Sequence, residues 1–148
     1  MSQNRPLKTI SVTTKMGASS KVEASIRDHR VVIDQPRNAG GTDEGPTPLE
    51  YFLFSLGGCI ATIARLAASQ QGIELRGIEV QLEAGLNLAG LLGKPTEDRV
   101  GFQYIDVKAT LDADLNEQQK VAFLDEVCER CPLHDNIRFN TQVEHGLS

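Results

Sequence analysis

Apolar and polar residues follow strand-like patterns in the first third of the chain. They alternate strictly over residues 22–27, a period of two that is typical of a half-buried strand. Residues 7–14 are rich in β-branched side chains, and a short apolar run follows at 31–33. Turn-forming residues at 16–20 separate the first two stretches. The pattern predicts three strands in an antiparallel meander, followed by a long loop at 35–46, where glycine and proline are dense.

A helix start signal follows this loop. Thr47 is suited to the N-cap, Pro48 to the first helical position, and Glu50 to the third position of a capping box. The apolar pattern continues to Gln71, and Gly72 supplies a stop. The sequence therefore predicts one long helix over residues 48–71.

The apolar residues of this helix cover more than one stripe, which predicts burial over most of its circumference. They are Leu49, Phe52, Leu53, Phe54, Leu56, Ile60, Ile63, Leu66 and Ala67. One sheet in a small domain covers only one side of such a helix, so a second subunit is expected on the other side, and we predict a homodimer. The longest apolar stretch, residues 51–64, is uncharged but only 14 residues long, whereas a bilayer span needs about 20. A buried core helix is therefore expected, and no membrane partner.

The second half of the chain predicts further strands and a second helix. Alternation recurs at 75–82 and 102–111, with an irregular excursion between them, and residues 142–144 could complete a sheet. A helix is predicted from Asn116, its N-cap, to Arg130, with Gln119 at the capping-box position; Pro132 disfavours helical dihedrals at Cys131 and should end it there.

Composition limits the class of protein. With 148 residues, 40% of them hydrophobic, the chain suits a single domain over 1–148. A net charge of -5 argues against nucleic acid as a partner. The polar N-terminal residues lack the apolar region of a secretory signal, so a cytoplasmic location is expected, where the three cysteines would be reduced at rest.

Cys59 follows two glycines, Gly57 and Gly58, inside the long helix, where each glycine costs roughly 1 kcal/mol relative to alanine. One interpretation is that the glycines let a small substrate approach a reactive thiol. The other is that Cys59 is a small core residue and the glycines allow close helix crossing.

The other two cysteines form a CxxC motif, Cys128-Glu129-Arg130-Cys131. The predicted helix ends here, so its dipole does not favour a thiolate, and Cys128 is expected to be a core residue. Cys131, beside the helix end, is expected to be exposed and could be a resolving thiol. A zinc site using His134 and His145 is the weaker alternative, because a fourth ligand is not obvious; no metal is predicted.

The run Gly-Pro-Thr-Pro-Leu-Glu-Tyr-Phe-Leu-Phe-Ser-Leu-Gly-Gly-Cys at 45–59 closely resembles the OsmC/Ohr family, the osmotically inducible and organic-hydroperoxide-resistance proteins. The stretches 101–107 and 131–133 resemble it too. The resemblance implies an α+β fold in which two chains intertwine as a homodimer, with antiparallel sheets wrapped around two long central helices.

The resemblance also implies a cofactor-free activity, the reduction of organic hydroperoxides. Cys59 matches the family cysteine that attacks the peroxide and becomes a sulfenic acid; Cys131 matches the second cysteine, which condenses with it to an intramolecular disulfide that a dithiol reductant reopens.

Three further residues are predicted to adjust the Cys59 thiolate. Family members present an arginine in the first hairpin turn, but the turn here contains only Lys15 and Lys21 as cations, so these are the thiolate-stabilising candidates. Glu50 precedes Cys59 by nine residues, the opposite side of an ideal helix. The absent arginine motivates the alternative that the protein is a non-enzymatic module binding a small apolar ligand.

Overall fold

The structure is a computed structural model that describes residues 5–148. Its strands are β1 (Thr13–Met16), β2 (Val22–Ile26), β3 (His29–Ile33), β4 (Gly77–Gly85) and β5 (Tyr104–Asp112). Its helices are α1 (Pro48–Gln71), α2 (Leu88–Leu91), α3 (Glu117–Arg130) and α4 (Pro132–Arg138). The chain divides into two compact units, the first ending at Tyr51 and the second formed by Phe52–Ser148.

The first unit contains the predicted meander. Strands β1, β2 and β3 lie side by side in chain order, and both pairs are antiparallel. The predicted first strand is wrong over residues 7–12, which have no regular structure. The reason is that β2 pairs only with Thr13–Met16, so the β-branched residues before β1 have no neighbouring strand among the described residues.

A buried carboxylate organises the loop that follows β3. Asp34 is 0% exposed, and hydrogen bonds hold both of its oxygens. Oδ1 accepts from the Ser20 hydroxyl and the Gln35 amide. Oδ2 accepts from the amide and hydroxyl of Thr42 and from the Glu44 amide. Residues 35–46 form the predicted loop except for one short 3₁₀ turn, Arg37–Ala39, and one side chain ties this loop to the end of β3.

The second unit is built on the antiparallel pair β4–β5. Its register sets Ile78 opposite Leu111 and Leu82 opposite Val107, so each apolar residue faces another on the same side of the sheet. Both strands begin and end within a few residues of the predicted ranges. Their apolar face packs against a core formed by α1 and α3. The mixed α and β composition with antiparallel sheets is confirmed.

Helix α1 has the predicted boundaries. The Thr47 amide donates to Glu50 Oε1 over 2.9 Å and the Glu50 amide donates to Thr47 Oγ1 over 3.2 Å, which is the predicted capping box. At the other end, Gly72 has a φ of 68°, a left-handed conformation that glycine adopts without steric cost.

Burial of α1 is one-sided within the single chain, so the expected burial of its other side by a second subunit stays a prediction. Leu56, Ile60 and Ala64 are buried, whereas Phe54 is 73% exposed and Leu66 48% exposed. Among the described residues α1 is the helix that has the length and apolar composition to cross a bilayer, although 28% of its apolar window is buried in the protein.

The last two helices meet at a sharp junction. Helix α3 has the predicted capping box between Asn116 and Gln119 and ends, as predicted, before Cys131. Helix α4 starts at Pro132 and was not predicted. The predicted strand at 142–144 is wrong: residues 140–148 have no regular structure, since no strand lies beside them among the described residues.

Candidate active site

Two cysteines that are 72 positions apart in the chain meet in the second unit. The Cys131 thiol donates to Cys59 Sγ, with 2.9 Å between the sulfurs. Both are free thiols. A disulfide has a sulfur separation of about 2.05 Å, so a bond requires the sulfurs to approach by only about 1 Å.

Different elements hold the two sulfurs. Cys59 lies on α1, next to Ile60, which is fully buried in the core. Cys131 ends α3 and also caps α4: its backbone is extended, with φ -81° and ψ 114°, and its sulfur accepts a hydrogen bond from the His134 amide over 3.4 Å. Pro132 favours this extended backbone and is well suited to the first position of α4. The same proline therefore ends one helix, starts the next and fixes Cys131 between them.

The surroundings of the two thiols differ. Cys131 is 0% exposed, so the expectation that it would be exposed is wrong: the residue belongs to the hydrophobic core, together with residues of α1 and α3. Cys59 is half-buried. Burial, followed by the hydrogen bond to Cys59, raises the pKa of the Cys131 thiol. Both effects favour the protonated form of Cys131, which donates the hydrogen bond to Cys59.

The two glycines before Cys59 have different surroundings. A Cβ on Gly57 would lie 2.7 Å from Leu82 Cδ1, so this glycine lets α1 pack closely on strand β4, whereas the core interpretation expected it to allow the crossing of another helix. Among the described residues, no atom lies within 4 Å of the place of a Gly58 Cβ. Both glycines line an apolar cavity of about 290 Å³, whose other walls are Leu53, Phe54, Ala61, Ile78, Val80 and Leu82.

The three residues predicted to adjust the thiolate belong to the first unit. Glu50 is exposed, and the hydrogen bonds from Thr47, first of all from its amide, lower the pKa of its carboxyl. Lys21 forms ion pairs with Glu23 and Glu44 at 3.4 and 3.7 Å. Lys15 lines a surface cavity on the sheet. The structure thus assigns Glu50 a capping role, and the action of all three on Cys59 stays a prediction.

Cys128 is half-buried and packs against the core, as expected, but it also lines a surface cavity that the sequence did not indicate. Burial raises the pKa of its thiol. Within residues 5–148, no group of three or more His, Cys, Asp or Glu side chains is placed to hold a metal ion, so the structure gives no support to the zinc alternative built on His134 and His145.

Comparison with known proteins places this chain in a family. A family described as OsmC-like protein matches residues 41–146. A hydroperoxide reductase of Mycoplasma genitalium is 22% identical over 143 residues, which cover 95% of each chain.

Solved structures share the fold. An OsmC-like protein from Mycoplasma pneumoniae superposes with a TM-score of 0.78 at 22% identity, over 90% of this chain and 89% of the other. An organic hydroperoxide resistance protein from Legionella pneumophila superposes with a TM-score of 0.68 at 23% identity, over 92% and 93%. The family match covers both cysteines of the pair and most of the chain, and this protein therefore belongs to the OsmC-like family.

Proposed function

We propose that this protein is a cysteine-based thiol peroxidase that reduces organic hydroperoxides. The 2.9 Å contact between Cys59 and Cys131 carries the proposal, because a two-cysteine peroxidase needs a second thiol within reach of the first. The names of two relatives, a hydroperoxide reductase and an organic hydroperoxide resistance protein, support the same activity.

The proposed chemistry uses the two thiols in turn. Cys59, as the thiolate, attacks the terminal oxygen of the hydroperoxide; the O–O bond breaks, an alcohol leaves after taking up a proton, and Cys59 becomes a sulfenic acid. Cys131 then attacks the Cys59 sulfur, water leaves, and the disulfide forms. A dithiol reductant returns two electrons and restores both thiols. Lys15, Lys21 and Glu50 are the groups proposed to adjust the Cys59 thiolate.

The apolar cavity at Gly57 and Gly58 favours bulky, apolar peroxides. Leucine, valine and isoleucine side chains from α1 and β4 form its walls. Apolar groups gain free energy by leaving water for such a surface, whereas hydrogen peroxide has no apolar part to bury. Alkyl and lipid-derived hydroperoxides are therefore the proposed substrates.

Stopped-flow kinetics with cumene hydroperoxide and hydrogen peroxide test this function. We expect cumene hydroperoxide to react about tenfold faster than hydrogen peroxide, or more. The Cys59→Ser variant should show no turnover. The Cys131→Ser variant should consume one equivalent of peroxide and then stop, with Cys59 as a sulfenic acid. Thr62→Ser, an exposed position of the same helix, is the matched control and should keep wild-type rates. Full turnover by Cys59→Ser would exclude the proposal.

The alternative function is non-enzymatic binding of a small apolar ligand, and the same cavity of about 290 Å³ is the observation that favours it. A binding module would leave peroxide unconsumed in the experiment above while still binding an apolar probe dye saturably. Rapid, saturable consumption of cumene hydroperoxide would reject this alternative.

The exposed side of α1 supports a homodimer. Phe52, Phe54 and Leu66 are between 41% and 73% exposed in the single chain. Exposed apolar side chains of this size on one helix are typical of an interface. We propose that a second copy of the chain covers this side of α1. The proposed localisation of the protein is cytoplasmic.

A further inference from the structure

Cys128 is the thiol that the proposed peroxidase cycle leaves unused. It lies one helical turn before Cys131, and the Cys131 amide donates to the Cys128 carbonyl over 3.4 Å, which closes a tight turn across the CxxC motif. Residues three apart on a helix have Cβ atoms about 5–6 Å apart, and a disulfide joins Cβ atoms about 3.5–4.5 Å apart. A bond between Cys128 and Cys131 therefore needs rotation of both side chains and an approach of the two Cβ atoms by about 1–2 Å, at a position where α3 ends and the backbone of Cys131 is already non-helical.

The three sulfurs differ in how an external reductant can reach them. Cys131 is 0% exposed. Cys59 is half-buried on α1, the helix whose outer side is proposed to be covered by a second copy. Cys128 lines a surface cavity of about 270 Å³ with Glu129, His134, Asp135, Arg138 and Phe139, all from the α3–α4 junction. A dithiol of a few heavy atoms fits that space, so the cavity gives a reductant a route to Cys128.

We propose that Cys128 is an exchange thiol that moves the disulfide from the buried Cys59–Cys131 pair to a Cys128–Cys131 pair at this cavity. The proposal rests on the proposed peroxidase function. Cys128, after losing its proton to water, attacks the Cys131 sulfur; the Cys59–Cys131 bond breaks and Cys59 leaves as a thiolate. Electrons are conserved in this exchange. A dithiol reductant then attacks Cys128, supplies two electrons, and leaves as a disulfide.

The pKa of Cys128 suits a thiol that reacts with a neighbouring disulfide inside the protein, and does not suit a thiol that reacts readily with reagents in solution. Burial, and after it the neighbouring Cys131 sulfur, raise the pKa of Cys128, so little of it is thiolate at neutral pH. This protects the resting thiol from direct oxidation. Once the disulfide forms next to it, proximity offsets the small thiolate fraction, because the attack needs no encounter in solution.

Time-resolved peptide mapping tests the exchange. The reduced protein is mixed with one equivalent of cumene hydroperoxide, quenched in acid at intervals, digested without reduction and analysed by mass spectrometry. We expect the Cys59–Cys131 peptide pair first and the Cys128–Cys131 pair later. In Cys128→Ser the first pair should persist, and its reduction by dithiothreitol should be about tenfold slower or more than in wild type. Ala122→Ser, an exposed position on α3, is the control and should reduce at the wild-type rate.

A second variant separates this proposal from the peroxidase function. Cys59→Ser has no peroxidatic cysteine, but diamide, a direct thiol oxidant, should still join Cys128 to Cys131 in it. If diamide forms this bond and the wild-type protein does not consume peroxide, Cys128 and Cys131 can pair as the exchange requires, but the peroxidase function is wrong. If wild type consumes peroxide but stays as Cys59–Cys131, and Cys128→Ser is reduced as fast as wild type, the exchange is overturned while the peroxidase function stands.

Discussion

At the scale of single residues, Asp34 shows how strongly one buried carboxylate can organise a loop. Its two oxygens accept five hydrogen bonds from four residues, Ser20, Gln35, Thr42 and Glu44. These bonds, led by the one from the Ser20 hydroxyl, hold the pKa of Asp34 well below its ordinary value of 3.8. The ionised form is therefore the one that the fold requires.

We expect Asp34→Asn to destabilise the protein, because its amide would present N–H donors to the Thr42 and Glu44 donors that Asp34 Oδ2 now satisfies. The midpoint of thermal unfolding should fall by roughly 4–8 °C at pH 7. Asp43→Asn is the matched control: Asp43 is exposed and has a φ of 57°, a conformation that asparagine tolerates. An unchanged midpoint in Asp34→Asn would show that the five bonds contribute little.

The same carboxylate gives stability a defined pH dependence. The folded pKa lies below the unfolded value of 3.8, so the contribution is complete above about pH 5 and is lost progressively as the pH falls from there toward the folded pKa. Thermal midpoints of wild type should therefore fall more steeply between pH 5 and pH 3 than those of Asp34→Asn. Parallel curves for the two proteins would contradict this.

At the scale of elements, the helix ends follow from local chemistry. Gly72 ends α1 with a left-handed backbone, and the Ile73 amide donates to the Ala68 carbonyl over 2.9 Å across the end of the helix. This six-to-one bond is the Schellman arrangement, which places glycine where a side chain would strain the backbone.

Replacing Gly72 with alanine should cost about 1–2 kcal/mol of unfolding free energy, the price of a Cβ in the left-handed region. Urea unfolding monitored by circular dichroism measures it. Gly77→Ala is the control, because Gly77 does not have a positive φ and a Cβ there would have no described atom within 4 Å. Equal stabilities of the two variants would mean that the left-handed cap carries no strain.

At the scale of the whole molecule, the exposed side of α1 is the surface on which the proposed homodimer depends. Phe54 is 73% exposed in the single chain and also lines the apolar cavity at Gly57 and Gly58. If a second copy covers this side, dissociation exposes it to water, and folding and association are coupled.

We therefore expect the thermal midpoint to rise with protein concentration and light scattering to give twice the chain mass at micromolar concentration. Phe54→Glu should weaken the dimer by about tenfold or more, because it places a charge against an apolar surface. Gln118→Glu, an exposed position on α3, should leave association unchanged. A folded wild-type monomer at micromolar concentration would contradict the homodimer.

Local patterns determined most of the secondary structure of this protein. The capping residues at Thr47 and Asn116 and the stop at Gly72 act through neighbours a few positions away, so the sequence alone placed the ends of α1 and the start of α3. Strands were predicted correctly from their patterns where a partner strand exists, and wrongly over residues 7–12 and 142–144. The reason is that a strand is stabilised by a neighbouring strand, which its own residues do not specify.

Both the sequence and the tertiary structure were needed to define the candidate site. Sequence alone singled out Cys59 and Cys131, one through its glycines and both through the family resemblance. Tertiary structure decided what no local signal encodes: a 2.9 Å contact across 72 positions, the full burial of Cys131 in the core, and the cavity beside Cys128. The physical reason is that contacts between distant segments depend on how elements pack, whereas caps and turns depend on bonds to the nearest residues.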